Sequence, residues 1–270
     1  RRAMAEAEST DSTPDHPFDA ERQFLREAGQ KTEARELAFQ ALEAHGAEAR
    51  DLANLALELD PECIDALNVL AATGGLGPEE AAHGMKAVAM RAEATLGEAF
   101  ITEHKGRLWD HVEARPYLRA RKSLADLLER AGKLKEALPH LEALLRFSQG
   151  DPQEVRYHLA RCYACLGKTK ALQRLLRAFE ADPGPIWAYM RVLLHLRLGE
   201  EKQALQALER ARALNPHIEG CLKGTARLPK ESSAPPLPGS PEEASGALRT
   251  LAPAWAADRE ALYWLFKAGK

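Results

Sequence analysis

Cysteines and long apolar runs are both scarce in this 270-residue chain. Its four cysteines stand at irregular spacing, which is too few for a disulfide-stapled scaffold of this length and favours a reducing compartment. No apolar run approaches the roughly 20 residues that a membrane-spanning helix needs. We therefore expect a cytoplasmic location without membrane association.

Charge of one sign is not in excess either, since 37 Lys and Arg face 40 Asp and Glu for a formal net charge of -3. Nucleic-acid-binding domains usually carry a clear basic excess, so we expect no nucleic-acid partner. Aromatic residues make up only 6% of the chain, whereas the strong helix formers Ala, Leu, Glu and Arg are abundant. This composition favours helix nearly throughout.

Helical sequence in the second half of the chain passes through a glycine at a near-constant interval. Gly132, Gly167 and Gly199 are 35 and 32 positions apart. Glycine suits the left-handed conformation that ends many helices, because it has no Cβ to clash there. Asp-Pro and Asn-Pro pairs follow the helical segments, and proline cannot continue a helix. Each segment is therefore predicted to fold as a helix, a glycine turn and a second helix.

This pattern is typical of the tetratricopeptide repeat, a pair of antiparallel helices in about 34 residues with small and large side chains at fixed places. In the middle repeat, those places hold Leu159, Ala160, Tyr163 and Gly167. The predicted fold class is all-α: a right-handed superhelical solenoid of tetratricopeptide-like helical hairpins with a C-terminal helical cap.

Composition and repeat register divide the chain into six predicted parts. They are a flexible leader at 1–17, divergent hairpins at 18–97, an insertion at 98–113, repeats at 114–228, a Pro/Ser-rich linker at 229–241 and capping helices at 242–270. The polar leader lacks the apolar core of a secretory signal, and the absence of an initial methionine leaves open a targeting segment removed before Arg1. In the divergent part, Gly29, Ala34 and Ala41 keep the repeat register, which puts Gly29 at a turn position.

The C-terminal part begins with an N-cap pattern. Ser240, Pro241 and Glu243 are an N-cap, a first-turn proline and a capping glutamate, and they predict a helix to about Trp255. A last helix is predicted after Asp258. Because both helices carry large apolar side chains that need a surface, we expect them to fold back onto the repeats.

One block of the sequence resembles a particular group of repeat proteins. Residues 113–120 read E-x-R-P-Y-x-R-A, "NPHIEGCL" occupies 215–222, and "LP" occupies 228–229. These motifs resemble bacterial tetratricopeptide proteins related to the suppressor of tumorigenicity seven family. The resemblance covers roughly residues 30–265, and it implies an all-α repeat fold without a known enzymatic activity.

The stretch "RCYACLGKTKAL" at 161–172 holds two motifs that suggest chemistry. Gly167, Lys168 and Thr169 match the end of a phosphate-binding loop, but the loop's first glycine and its preceding strand are missing. His158, Cys162 and Cys165 share one helix face and are candidate metal or thiol residues. Structural zinc needs four ligands, and both cysteines lie late in a helix, where the dipole opposes a thiolate. Core packing is therefore the favoured role of both cysteines.

A binding groove is the remaining candidate site, because the first helix of each tetratricopeptide pair lines the inner face. The predicted groove residues are Arg119, Lys122, Arg130, Tyr157, Arg161, Tyr189 and Arg197. Arginines beside aromatic rings suit a protein or peptide partner with acidic groups, since guanidinium pairs with carboxylates. The asparagines with which some such repeats clamp a terminal carboxylate are missing here.

From these features we predict a protein–protein interaction scaffold that holds a peptide or protein segment on its inner face. No enzyme activity and no cofactor are predicted. Two alternatives stay open. In the first alternative, the chain is a structural subunit of a larger assembly. In the second, it is a metal- or thiol-dependent protein that uses His158, Cys162 and Cys165.

Overall fold

A computed structural model describes residues 17–227 and 235–268, with side chains from residue 26 onward. Within these ranges the chain forms fourteen α-helices, two short 3-10 turns and no strand. The all-α helical-repeat prediction is confirmed. The predicted leader up to residue 16, residues 229–234 of the predicted linker and the "LP" motif lie outside the described residues.

The helices follow one another with short connections. The first four are α1 (Pro17–Glu43), α2 (Gly46–Leu59), α3 (Ile64–Thr73) and α4 (Pro78–Leu96). The insertion holds α5 (Glu98–Glu103) and 3-10 turns at Leu108–Asp110 and Val112–Ala114. The repeats are α6 (Arg115–Arg130), α7 (Leu134–Phe147), α8 (Val155–Cys165), α9 (Thr169–Ala178), α10 (Pro185–Arg197) and α11 (Glu201–Leu214). The last three helices are α12 (His217–Leu222), α13 (Pro241–Ala256) and α14 (Arg259–Lys267).

The chain divides into two compact units, residues 1–92 and 93–270. In the first, α1, α2 and α3 pack around small side chains. That core consists of Ala34, Ala38, Ala41, Ala49, Ala53, Ala56, Cys63, Ala66 and Val69. Alanines at the contacts let the helix axes approach closely, as the tetratricopeptide pattern requires.

The predicted turn position at Gly29 is wrong, because α1 continues through it from Pro17 to Glu43. A single glycine inside a helix costs only about 1 kcal/mol relative to alanine, and the neighbouring residues are strong helix formers. Repeat register alone therefore overstated the meaning of this glycine.

Three helical hairpins dominate the second unit, namely α6–α7, α8–α9 and α10–α11. Their turns lie at Gly132, Gly167 and Gly199, with φ of 75°, 66° and 74°. Each turn closes with the same pair of backbone hydrogen bonds, of which Gly167 N to Ala164 O and Lys168 N to Tyr163 O are one example. This Schellman geometry satisfies the last carbonyls of the first helix and reverses the chain.

Replacing Gly167 by alanine should lower the free energy of unfolding by about 1 kcal/mol, because an L-residue is strained at this φ. A Cβ at Gly167 would meet no atom within 4 Å, so the loss would come from the backbone alone. Gly246→Ala is the matched control: Gly246 lies inside α13, and there alanine should stabilise by roughly 0.5–1 kcal/mol. Urea unfolding of both variants measures the two changes in the free energy of unfolding. Changes of the same sign and size would contradict this explanation.

A buried polar network joins the second and third hairpins. Arg156 at the start of α8 donates to Asp151 at 3.1 Å and to Asp182 at 2.8 Å, and both carboxylates are nearly inaccessible. Tyr157 donates from its hydroxyl to Asp182 at 2.8 Å. Burial, with this acceptor beside it, raises the pKa of Tyr157 to about 12. The network fixes the loop before α8 against the loop before α10.

The C-terminal helices fold back onto the repeats. α13 packs on α8, α10 and α12, and α14 packs on α13 and α10. Ser240 is the N-cap that the sequence predicts, since its Oγ accepts from the backbone N–H of Glu243 at 3.1 Å. The side chain of Glu243 accepts from the backbone N–H of Gly239 at 2.8 Å and not from that of Ser240, as a capping box would have it. Asp258 caps α14 in the same way, accepting from Ala261 N at 3.0 Å.

Candidate interaction groove

The first helices of the second and third hairpins, α8 and α10, share a side on which α13 lies. We call that side the groove face. α13 turns a row of fully or nearly fully buried apolar side chains away from solvent: Ala244, Ala247, Leu248, Leu251, Ala254 and Trp255. The part of the predicted groove that α8 and α10 would line is thus filled by the chain's own C-terminal helix.

Arg161 on α8 makes contacts in two directions. Its Nε and Nη2 donate to the two carboxylate oxygens of Glu129 on α6, at 3.1 and 2.6 Å. Its Nη1 donates to the backbone carbonyl of Arg249 in α13 at 3.3 Å. That carbonyl is open because the residue four positions on is Pro253, which has no N–H to return a helical hydrogen bond. Arg161 therefore links α6, α8 and α13.

Arg197 makes the equivalent contact at the end of α10. It donates to Asp258 Oδ2 at 2.9 Å and to the Ala164 carbonyl at 2.9 Å, and its side chain is only 10% exposed. Beside it a cavity of about 470 Å³ opens between the α10–α11 turn and α14. Trp264 on the wall of this cavity donates from Nε1 to Glu201 at 3.0 Å. Arg197, at the end of α10, thus holds the turn between α13 and α14 on the groove face.

Glu129 is the centre of the polar cluster, and its side chain is completely buried. Nδ1 of His158 donates to Oε2 at 2.5 Å, and Cys162 Sγ donates to Oε1 at 3.1 Å. Burial alone would raise the pKa of Glu129. The hydrogen bonds from His158 and Arg161 outweigh burial, so the pKa is lowered. The carboxylate is charged in the folded state and serves as the fixed partner of Arg161.

Three possible ligand atoms do come together at this cluster, from Asp126, Glu129 and His158, all within 4.8 Å of one another. Two cations already compensate the carboxylates, since Lys122 binds Asp126 at 2.8 Å and Arg161 binds Glu129 through both oxygens. Ion pairs of this kind compete with a metal for the same oxygens. The geometry therefore favours an ion-pair cluster, with only His158 shared with the predicted metal set.

Cys162 and Cys165 sit in surroundings that disfavour thiolates. Burial raises the pKa of Cys162, and the neighbouring charge of Glu129 raises it further. Burial likewise raises the pKa of Cys165, against the opposing effect of Arg161. All four cysteines of the chain are free. These surroundings agree with a packing role, because only the thiolate is nucleophilic.

The predicted aromatic groove residues lie inside the fold. Tyr189 is fully buried, and Tyr157 is half-buried against Trp187 with an edge-to-face ring distance of 5.5 Å. On α6, by contrast, Arg130 is exposed, while Arg119 and Lys122 are half-buried. Of the predicted groove residues, the structure brings Arg161 and Arg197 to the groove face. The three predicted residues on α6 lie outside the contacts that Arg161 and Arg197 make with Arg249 and Asp258.

The repeat pattern does not reveal two residues that organise the groove face. Glu129 is one, because an acidic side chain near the end of α6 looks like an ordinary surface residue. Asn215 is the other: it is fully buried, and its Nδ2 donates to the Ser240 carbonyl at 3.0 Å and to Glu243 at 2.8 Å. The Asn-Pro pair at the end of α11 signalled a helix stop, but nothing in it signalled the anchoring of α13.

In the described ranges, no helix combines the length and the apolarity needed to cross a membrane. The cytoplasmic location stays a prediction.

Comparisons with known proteins found no matching family model and no matching curated protein. A similar solved structure is that of YrrB, described as a TPR protein with an unusual peptide-binding site. The two chains are 20% identical with a TM-score of 0.47, over 73% of this chain and 92% of YrrB. The relation to the suppressor of tumorigenicity seven family is not confirmed and stays a prediction. By its own stacked hairpins and glycine turns, the chain has a tetratricopeptide-like helical-repeat fold.

Proposed function

We propose that this chain is a non-catalytic protein-interaction scaffold that holds a protein segment against the first helices of its repeats. The observation that supports this function is that the groove face already holds one helical segment, α13. It does so with six buried apolar side chains and with arginines that bind a backbone carbonyl and a carboxylate. Such a combination of apolar burial and charged anchors is how helix-binding grooves generally work.

For an external partner, α6 offers a second surface on the first helix of another hairpin. Arg119 and Arg130 supply positive charge there, next to the Glu129 cluster, whereas Lys122 pairs with Asp126 at 2.8 Å. A partner segment with carboxylates fits this charge, because arginine binds carboxylates through two parallel hydrogen bonds. We therefore propose an acidic protein or peptide segment as the partner of α6.

Affinity capture with charge-reversed variants tests this function. We expect the variant Arg130→Glu to lose captured partners by about tenfold, because an attractive charge becomes repulsive. The control is Arg177→Glu, which makes the same change at an exposed position on the second helix α9. Recovery of the same proteins by both variants in equal amounts would refute a binding site on α6.

The alternative of a structural subunit is favoured by one observation on α14. Tyr263 and Phe266 are 62% and 47% exposed there. Exposed aromatic side chains close together are a feature of surfaces that contact other proteins. This alternative uses α14, whereas the scaffold uses α6, so variants of the two helices separate them.

A further inference from the structure

We propose that the groove face is a receptor for an amphipathic helix, and that α13 is a resident helix which a partner helix of the same pattern replaces. The proposal rests on the scaffold function and deepens it by naming the class of partner. It concerns α8 and α10, whereas the acidic partner of α6 concerns a different surface.

The pattern of buried residues along α13 is that of a helix bound in a groove. Buried side chains recur at 244, 247, 248, 251, 254 and 255, which are steps of three and four residues. Peptide helices that dock in apolar grooves use anchors at this spacing. The opposite side of α13 is exposed at Arg249, Ala252, Pro253 and Ala256, so no second layer from the described part of the chain covers it. α13 has one bound face and one solvent face.

The polar contacts of α13 also have the form of recognition. Arg161 is held in place by the buried carboxylate of Glu129 and donates from Nη1 to a carbonyl of α13. Pro253 makes that carbonyl available without ending the helix. At the other end, Arg197 binds the carboxylate of Asp258 just beyond α13. These two arginines mark the positions at which a helix must present an open carbonyl and an acid.

The covalent connection to α13 does not by itself determine where the helix lies. Eighteen residues separate Leu222, the end of α12, from Pro241, the start of α13, and they are rich in proline, serine and glycine. The parts of this connection that the structure describes, 223–227 and 235–240, contain no helix. A connection of this length and composition keeps a tethered ligand at an effective concentration in the millimolar range. A tethered ligand competes with a free one through mass action.

The partner can be described from the resident helix. It is an amphipathic helix with alanine or another small residue at the positions of Ala244 and Ala247, and leucine at those of Leu248 and Leu251. A tryptophan-sized side chain follows at the position of Trp255, and a carboxylate stands three residues beyond it. The two arginines of the groove face complement that carboxylate and the negative C-terminal end of the helix dipole.

The test uses the full chain with a protease site in place of residues 229–234. After cleavage, a fluorescein-labelled peptide of residues 239–258 is added in about 100-fold excess, and native mass spectrometry follows both helices. We expect the labelled peptide to replace the resident segment in more than about half of the molecules, while circular dichroism shows that the repeats stay folded. A resident segment that never leaves, or whose departure unfolds the repeats, would overturn the proposal.

Two variant peptides give the comparison its specificity. The Leu251→Asp peptide should bind at least about 30-fold more weakly, because it puts a charge at a fully buried position. The Arg249→Glu peptide changes an exposed side chain and keeps the carbonyl that Arg161 uses, so it should bind within about threefold of the unchanged peptide. Equal binding by both variants would overturn the proposal.

Two further results would distinguish other outcomes. If intact chains carrying two different labels exchange their C-terminal helices and form dimers, the occupant is a second copy and the partner-helix proposal is overturned. If the peptide does not exchange but the Arg130→Glu variant loses its captured partners, the receptor proposal fails while the scaffold function stands.

Discussion

Replacing Trp255 by alanine should lower the free energy of unfolding of the repeat unit by about 4 kcal/mol. Trp255 is the largest apolar side chain of α13, and none of its surface is exposed. Its removal takes away the largest buried side chain of α13 and leaves a cavity that neighbouring side chains fill only in part. Urea unfolding followed by circular dichroism measures the loss, and we expect the melting temperature to fall by roughly 10 °C.

Tyr263→Ala is the matched control for this change. Tyr263 is an aromatic residue of the same C-terminal pair of helices, but it is 62% exposed, so its removal should change the stability by less than about 0.5 kcal/mol. Limited proteolysis adds a second reading. If the Trp255→Ala variant is cut within α13 while the urea transition of the repeats is unchanged, packing of the helix contributes nothing to their stability and the prediction is wrong.

The Glu129→Gln substitution should lower the free energy of unfolding by about 3 kcal/mol at pH 7. Glutamine keeps the size of the side chain but removes the negative charge that Arg161 and His158 share. A half-buried guanidinium then faces a neutral amide, which satisfies fewer of its N–H groups. Urea unfolding at neutral pH measures the effect.

The same substitution should matter less in acid. The pKa of Glu129 is lowered in the folded state, so its contribution to stability is fully present above the ordinary glutamate pKa of about 4.3. As the pH falls towards and below that value, the unfolded chain takes up the proton first and the contribution is lost. The difference between wild-type protein and Glu129→Gln should therefore stay constant from pH 7 to about pH 5 and shrink as the pH falls below about 4.3. A difference that stays constant below that pH would show that charge is not its cause.

Glu200→Gln is the control for the charge effect. Glu200 also binds a histidine, His195 Nδ1 at 2.7 Å, but both side chains of that pair are partly exposed. Exposed ion pairs contribute little, so this change should cost less than about 1 kcal/mol. A loss as large as that of Glu129→Gln would mean that burial does not distinguish the two pairs.

The repeat architecture could be predicted from the sequence because its signals are local. Gly132, Gly167 and Gly199 each close a Schellman turn, and the interval between them fixes the length of each hairpin. Ser240 and Asp258 likewise mark the starts of α13 and α14, because each side chain caps its helix by accepting from the backbone N–H three residues further on. Gly29 failed as a signal since a lone glycine inside strong helix formers does not end a helix.

The site could be predicted only in part, because its contacts join residues far apart in the chain. The repeat register points Arg161 and Arg197 to the groove face, but it gives no sign that Arg249 and Asp258 meet them there. It also placed Tyr157 and Tyr189 in the groove, although Asp182 and burial hold them inside the fold. Local periodicity specifies which side of a helix faces inward, whereas the occupant of that side depends on tertiary packing.

The position of α13 in the chain has a consequence for synthesis. α8 and α10 are translated before α13, and translation at 5–20 residues per second adds the segment from Leu222 to Lys267 in roughly 2–9 seconds. During that interval Leu251 and Trp255 have not yet covered the groove face. A nascent chain therefore exposes this face until α13 has been synthesised. A partner helix that reached the face within those seconds would not have to displace α13.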